Sequence, residues 1–217
     1  MRKVIIVVMI LGVIAGMACG QGYSLQVAES AAPSAQGLMR ASAGINFGDE
    51  VTFYGVRGTY GVIEGLQVFA DIGMADSDEM DSAMSIQGGA IYALPVEMPV
   101  DLAVRAAIAK PFFDDIEYPV YNYYYGYRLE KLSVDVLVMS AMLLASKDMS
   151  DMMANLTGYA GVGLARMSVE IGDFDESETD LALAVGGIYQ INDQLSVFAE
   201  IDYIDDPFFG GGARFDF

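Results

Sequence analysis

The chain has 217 residues, 30 of them acidic and 11 basic, for a formal net charge of -19, and it contains no histidine. Strong acidity argues against nucleic acid as a partner, because phosphate binding needs Lys and Arg patches. Yet 54% of the residues are hydrophobic and mean hydropathy is +0.38, a pairing that disfavours an ordinary soluble domain and fits a protein whose apolar surface meets lipid while its acids sit in loops.

The chain opens with Arg2 and Lys3, followed by an apolar run from Val4 to Met17 and by small residues at Gly16-Met17-Ala18 and Ala18-Cys19-Gly20. This is the layout of a cleaved secretory signal over residues 1–20. The run is shorter than the roughly 20 residues of a spanning helix. Cys19 is the only cysteine, so no internal disulfide can form. Two fates stay open for it: lipid attachment at a new N-terminal Cys, or ordinary cleavage nearby. Gly16 stands where lipoprotein signals usually carry Leu. No later segment qualifies as a spanning helix; Leu132 to Leu144 comes nearest and is interrupted by Ser133, Asp135 and Ser140.

Residues 21–36 are polar and rich in small side chains, with Pro33, and read as a flexible periplasmic leader. From Gly37 the pattern becomes a series of short alternating runs: 37–48, 51–61, 66–75, 83–94, 100–110, 130–144, 156–171, 179–191, 195–204 and 208–217. Most match the roughly 9–11 residues of a strand tilted across a bilayer and exceed the roughly 5–6 of a globular strand. In the ninth run Leu195, Val197, Ala199, Ile201 and Tyr203 share one face, and Ser196, Phe198, Glu200 and Asp202 the other. In the third, Leu66, Val68, Ala70, Ile72 and Met74 oppose Gln67, Phe69, Asp71 and Gly73. Such alternation gives each strand one apolar and one polar or small face.

The connections alternate too. Val62 to Gly65, Pro95 to Pro99 and Asn192 to Gln194 are short; Asp76 to Ser82, Pro111 to Leu129 and Gly172 to Glu178 are longer and mostly acidic. Short periplasmic turns and longer outer loops mark outer-membrane barrels. With both ends periplasmic, ten strands sort these connections by side. The expectation over 37–217 is therefore an all-β, antiparallel up-and-down transmembrane β-barrel of ten strands, with eight as the other count. Two joints fit less well: Asp49-Glu50 is a very short outer loop, and Ala145 to Asn155 is a long periplasmic turn that holds a short helix or displaces the sixth and seventh strands.

In the last run Gly211, Ala213, Phe215 and Phe217 share one face, with Arg214 and Asp216 on the other, and the sequence ends on Phe217. Here the chain resembles the small bacterial outer-membrane β-barrel proteins, whose last strand carries alternating apolar residues and a terminal aromatic. The resemblance implies the bacterial outer membrane as location, and the lipid bilayer and the barrel assembly machinery as partners. It also implies Phe215 and Phe217 as the assembly signal, and pairing of the last strand with the first.

Inside the runs the basic residues are Arg, with Lys110, Lys131 and Lys147 at run ends or in connections. Alternation puts Arg40, Arg57, Arg105, Arg166 and Arg214 on the inward face, together with Asp71, Asp101, Asp135, Glu170, Glu200, Asp202 and Asp216. Guanidinium groups hold carboxylates bidentately, and in a narrow barrel each charge needs a partner. Turn spacing brings Arg57 near Asp71 and Glu200 near Arg214. The longest outer loop holds Tyr118, Tyr121, Tyr123, Tyr124, Tyr125 and Tyr127, which suit either an interfacial aromatic belt or a contact surface. Acidic clusters near Asp76, Asp114 and Asp173 match no EF-hand loop and read as solvated charge.

No nucleotide, zinc or serine-hydrolase motif is present, and barrel enzymes of the resembling family work through His-containing sites, so no enzyme activity and no cofactor is expected. Two roles remain. One is a structural or surface-interaction barrel with its lumen filled by Arg-carboxylate pairs and a surface ligand unspecified. The other is a narrow, porin-like channel for small or cationic solutes. A secreted soluble barrel with an apolar interior is a third reading, disfavoured by the charged inward face.

Overall fold

The structure is a computed structural model and describes residues 29–48, 51–77, 82–114, 116–122, 126–172, 174–204 and 206–217. Its wall is built from β1 (Met39–Phe47), β2 (Val51–Ile63), β3 (Leu66–Ser77), β4 (Ala83–Ala93), β5 (Asp101–Phe112), β8 (Val134–Asp148), β9 (Leu156–Ile171), β10 (Phe174–Gln190), β11 (Leu195–Ile204) and β12 (Asp206–Asp216). Between β5 and β8 the chain forms a separate hairpin, β6 (Ile116–Asn122) and β7 (Gly126–Leu132). The ten wall strands close into one barrel, every neighbouring pair antiparallel, with β5 paired to β8 across the hairpin and β1 paired to β12 at the seam. Ten strands is the larger of the two expected counts. Closure removes every edge, so all backbone groups at mid-barrel can be paired within the wall.

The seam aligns Arg40 with Asp216 and Phe47 with Phe209, and the Phe217 amide donates to the Met39 carbonyl. Both ends of the wall therefore lie at one end of the barrel, here the near end. Its connections are tight. Gly65 takes a positive φ of 80° in the Glu64-Gly65 turn, a conformation glycine reaches without a Cβ penalty. Between β10 and β11 the Asn192 side-chain oxygen accepts from the amides of Gln194 and Leu195, an Asx-turn of the kind Asn favours. The segment after β8 folds as hydrogen-bonded turns around Met149 to Asn155 rather than a helix, and the sixth strand is the displaced one: it runs Val134–Asp148 instead of 130–144, with 130–132 belonging to the hairpin, while the seventh run matches β9.

Alternation sorts the side chains as the sequence suggests over most of the wall. The outward face is apolar, with exposed Ile45, Val56, Ile72, Val104, Ile108, Leu143, Val162, Val185 and Ile201. Exposed aromatic residues bracket it: Tyr60, Tyr92, Tyr189, Phe215 and Phe217 toward the near end, and Phe47, Tyr54, Phe112, Tyr203 and Phe209 toward the far end. An apolar band between two aromatic girdles is what a bilayer selects.

Four features depart from the sequence reading. Of residues 29–36, expected as part of a flexible leader, Glu29 and Ala31 are fully buried in the near end of the lumen, while Ala32, Pro33, Ala35 and Gln36 are exposed. Small side chains at Ser30 and Ala31 let the start of this segment fit inside. Pro111 to Leu129, expected as a loop, supplies the end of β5 and most of the hairpin, whose register sets Tyr121 against Tyr127 and Tyr118 against Glu130; a β-ladder satisfies the backbone of a long excursion. Asp135, Arg166 and Glu170, expected inward, lie on the outward face, exposed. At 15–17 residues, β8, β9 and β10 overshoot the span a bilayer needs, and beyond the lipid an outward side chain meets water. Finally, Asp206 rather than Phe209 faces Ile204, and this tighter turn sets Arg214 opposite Ser196 and Glu200 opposite Gly210, not Glu200 opposite Arg214. Residues 1–28, Asp49, Glu50 and Tyr123, Tyr124 and Tyr125 lie outside the described residues, and with them the expected signal segment and the Cys19 question.

Candidate functional site in the barrel lumen

The inward face is polar and charged on β1 to β5, β11 and β12 and largely apolar on β8 to β10. It fills the lumen in three tiers.

At the near end the centre is a residue that belongs to no strand. The Glu29 carboxylate lies 3.0 Å from Nη1 of Arg40 and 3.3 Å from Nη2 of Arg214, both at Oε2, and Thr59 Oγ1 stands 3.5 Å from Oε1. Arg40 also donates to Asp216 at 2.7 Å. The Ala31 amide donates to Ser146 Oγ at 3.0 Å, and the Ser30 hydroxyl meets the same oxygen at 3.0 Å. Burial works against charge on Glu29, but Arg214 and Arg40 beside it outweigh that and hold its carboxyl below the usual carboxylate range.

In the middle tier Arg57 on β2 stands opposite Asp71 on β3 and grips it bidentately, Nε to Oδ1 and Nη2 to Oδ2, both 2.7 Å. Gln87 Oε1 accepts from Arg57 Nη2 at 3.4 Å. The guanidinium carbons of Arg57 and Arg105 stand 4.7 and 4.9 Å from the centre of the Phe69 ring, so an aromatic face shares the desolvated positive charge. Arg105 also reaches Ser140 Oγ at 3.3 Å. Across the lumen Glu200 and Asp202 are buried two residues apart on β11. Register sets Tyr159, Gly186 and Glu200 in one row over β9, β10 and β11. The Tyr159 phenol lies over Gly186, whose missing side chain makes the room.

At the far end two apolar clusters face each other. One is Val51, Phe53 and Ala75; the other gathers Ala109, Val136, Val138, Met167, Val169 and Ile171. Phe113 packs against both, so it bridges the mouth.

Of the expected inward charges, Arg40, Arg57, Asp71, Arg105, Glu200, Asp202, Arg214 and Asp216 face the lumen. Asp101 keeps the inward register but is exposed at the near rim. Asp135 instead takes Lys110 as partner at 2.8 Å on the exterior, and Arg166 donates to Ser177 Oγ at 2.9 Å. Glu29 and Ser146 were not singled out by pattern. The available signal was that Glu29 is the one acid in residues 21–36. Among the described residues no three carboxylate, Cys or His side chains converge closely enough to hold a metal ion.

No protein-family model matches the chain, and no curated protein matches it. Among solved structures it is similar to the N-terminal β-barrel domain of OprF from Pseudomonas aeruginosa, at 12% identity and TM-score 0.41 over 85% of this chain and 100% of that one. It is similar to the KdgM porin at 9% identity and TM-score 0.46, over 82% of this chain and 99% of that one. Neisserial surface protein A gives 13% identity and TM-score 0.34 over 83% and 95%.

Proposed function

We propose that this chain is an exported barrel of the bacterial outer membrane with a closed lumen, serving as a structural anchor that presents the β6–β7 hairpin and the far-end strand extensions outside the lipid. One observation carries the reading: inward side chains are buried at the near end, the middle and the far end of the lumen alike. Glu29 and Ala31 close the near end, the Arg57–Asp71 pair with Arg105, Glu200 and Asp202 fills the middle, and Phe113 bridges the far mouth. The apolar band between aromatic girdles supports the bilayer as its environment. The β6–β7 hairpin carries Tyr118 and Tyr121 in one strand and Tyr127 in the other, a residue type favoured where proteins make contacts, and its ligand is unspecified. Phe215 and Phe217, stacked edge to face at 5.0 Å on the closing strand, fit an assembly signal read by the barrel assembly machinery.

The test is conductance. Purified, folded protein reconstituted in planar bilayers is expected to give no steady unitary current. A stable open level in every insertion overturns the closed-lumen reading and supports a narrow channel instead. Extraction from membranes only with detergent is expected on the same grounds, and recovery in the soluble fraction would place the barrel outside the membrane.

A further inference from the structure

The Glu29 carboxylate occupies a cradle that the barrel wall builds by itself. Arg40 comes from β1, Thr59 from β2 and Arg214 from β12, three neighbouring strands at the seam. All three side chains direct donors at the two oxygens of one carboxylate, at 3.0, 3.5 and 3.3 Å. The occupant is not part of the wall, whose ladder closes without it. Residues 29–36 read Glu-Ser-Ala-Ala-Pro-Ser-Ala-Gln, mostly small side chains that bury little apolar surface. Beyond Glu29, the segment is held by the Ser30 and Ala31 contacts to Ser146 and by the Gly65 amide on the Ser34 carbonyl. The strongest single hold is therefore a carboxylate between two guanidiniums, a contact that an external carboxylate reproduces.

We propose that the Arg40–Thr59–Arg214 cradle is a binding site for small carboxylate solutes, with Glu29 as its resident occupant, and that withdrawal of residues 29–36 exchanges the internal carboxylate for an external one. The inference rests on the closed-lumen reading. Guanidinium pairs prefer a planar two-oxygen anion to chloride, so the site distinguishes carboxylates from simple salt. A tethered occupant has an effective concentration of roughly millimolar order, so a solute competes at similar concentrations.

Ala31 is fully buried, so Ala31→Cys reports withdrawal. A polar, membrane-impermeant maleimide is reacted with the folded variant, and modification is read at the peptide carrying residue 31 by mass spectrometry. With Glu29 intact, succinate at tens of millimolar is expected to speed modification at least about threefold over potassium chloride of equal ionic strength. Adding Glu29→Gln is expected to speed it about tenfold without succinate, by removing the charge but not the shape. Equal rates in succinate and chloride overturn the proposal, as does a rate unmoved by Glu29→Gln. Adding Arg214→Gln to Ala31→Cys is expected to abolish the succinate effect, and its persistence there also counts against the site. Bilayer recordings on the unaltered chain keep the two readings apart. Steady current sinks the closed lumen, whereas silence together with succinate-indifferent modification sinks only the carboxylate site.

Discussion

At the scale of single residues, burial decides what each charge is worth. Arg57 and Asp71 are 3% and 5% exposed, so removing one partner leaves a charge out of water without its main counter-ion. Asp71→Ala is expected to cost about 3–5 kcal/mol in unfolding from lipid vesicles by urea. Arg57→Met with Asp71→Leu is expected to recover most of that, because the desolvation penalty leaves with the charges. A double variant as unstable as Asp71→Ala would show that the pair does more than fill space. Glu29 allows a pH test with a definite sign. Its folded value is lowered by Arg214 and Arg40 against the opposing effect of burial. Its contribution is thus complete above its ordinary value near 4.5 and is lost as pH falls through the lowered value. The groups around it are Arg40, Arg214, Thr59, Asp216 and, further off, Arg57 and Arg105. A nitroxide on Ala32→Cys is expected to give broad electron-spin lines at neutral pH and narrow ones in acid, on Glu29 protonation and release of the segment. Lines equally broad at both ends of the range would contradict that.

At the scale of elements, the wall pairs bulky inward side chains with inward glycines on the neighbouring strand. Phe53 lies over Gly73, Phe69 over Gly89, Tyr159 over Gly186 and Phe198 over Gly212, and in each case an added Cβ would collide with the ring. The aromatic fills the space the glycine leaves and shields its backbone, a device that also pins register. Gly186→Ala meets the Tyr159 phenol and the Ala199 carbonyl and is expected to cost about 1–3 kcal/mol. Gly58→Ala is the control: nothing lies within 4 Å of its added Cβ, and it is expected to be neutral or slightly stabilising, by a few tenths to about 1 kcal/mol. Chemical unfolding of both in the same vesicles checks the contrast; equal losses would mean that glycine serves backbone flexibility in the wall rather than room for the rings.

At the scale of the whole molecule, the decisive variable is depth. Val56 lies on the outward face of β2 between Tyr54 and Tyr60, within the apolar band. Val56→Arg is expected to destabilise the folded barrel by about 2–4 kcal/mol in lipid, and Asp193→Arg, in a near-end turn, by about 0–1 kcal/mol. Similar values for both would argue that lipid does not surround the band. The same variable explains the exterior charges. Asp135, Glu170 and Asp175 stand in one outward row across β8, β9 and β10, which only a watery position tolerates. That places the row outside the lipid, on the strands whose length exceeds the rest.

Residue order alone dictates most of the wall: its runs, the faces of most of them, the near-end turns, and the pairing of Arg57 with Asp71. These follow from period-two alternation and turn chemistry, which are local and leave a direct trace in residue order. The tertiary structure alone decided how the lumen is closed. Glu29 meets Arg40, Thr59 and Arg214 only after β12 returns to β1, so no spacing along the chain announces it, and a segment of small polar residues looks the same outside a barrel as inside one. Arg166 and Glu170 went astray for a related reason: alternation says which face a side chain takes, but whether that face meets lipid, lumen or water depends on how far the strand rises past the membrane. Arg214 turned on three residues of turn length between β11 and β12, a quantity that closure of the whole barrel settles.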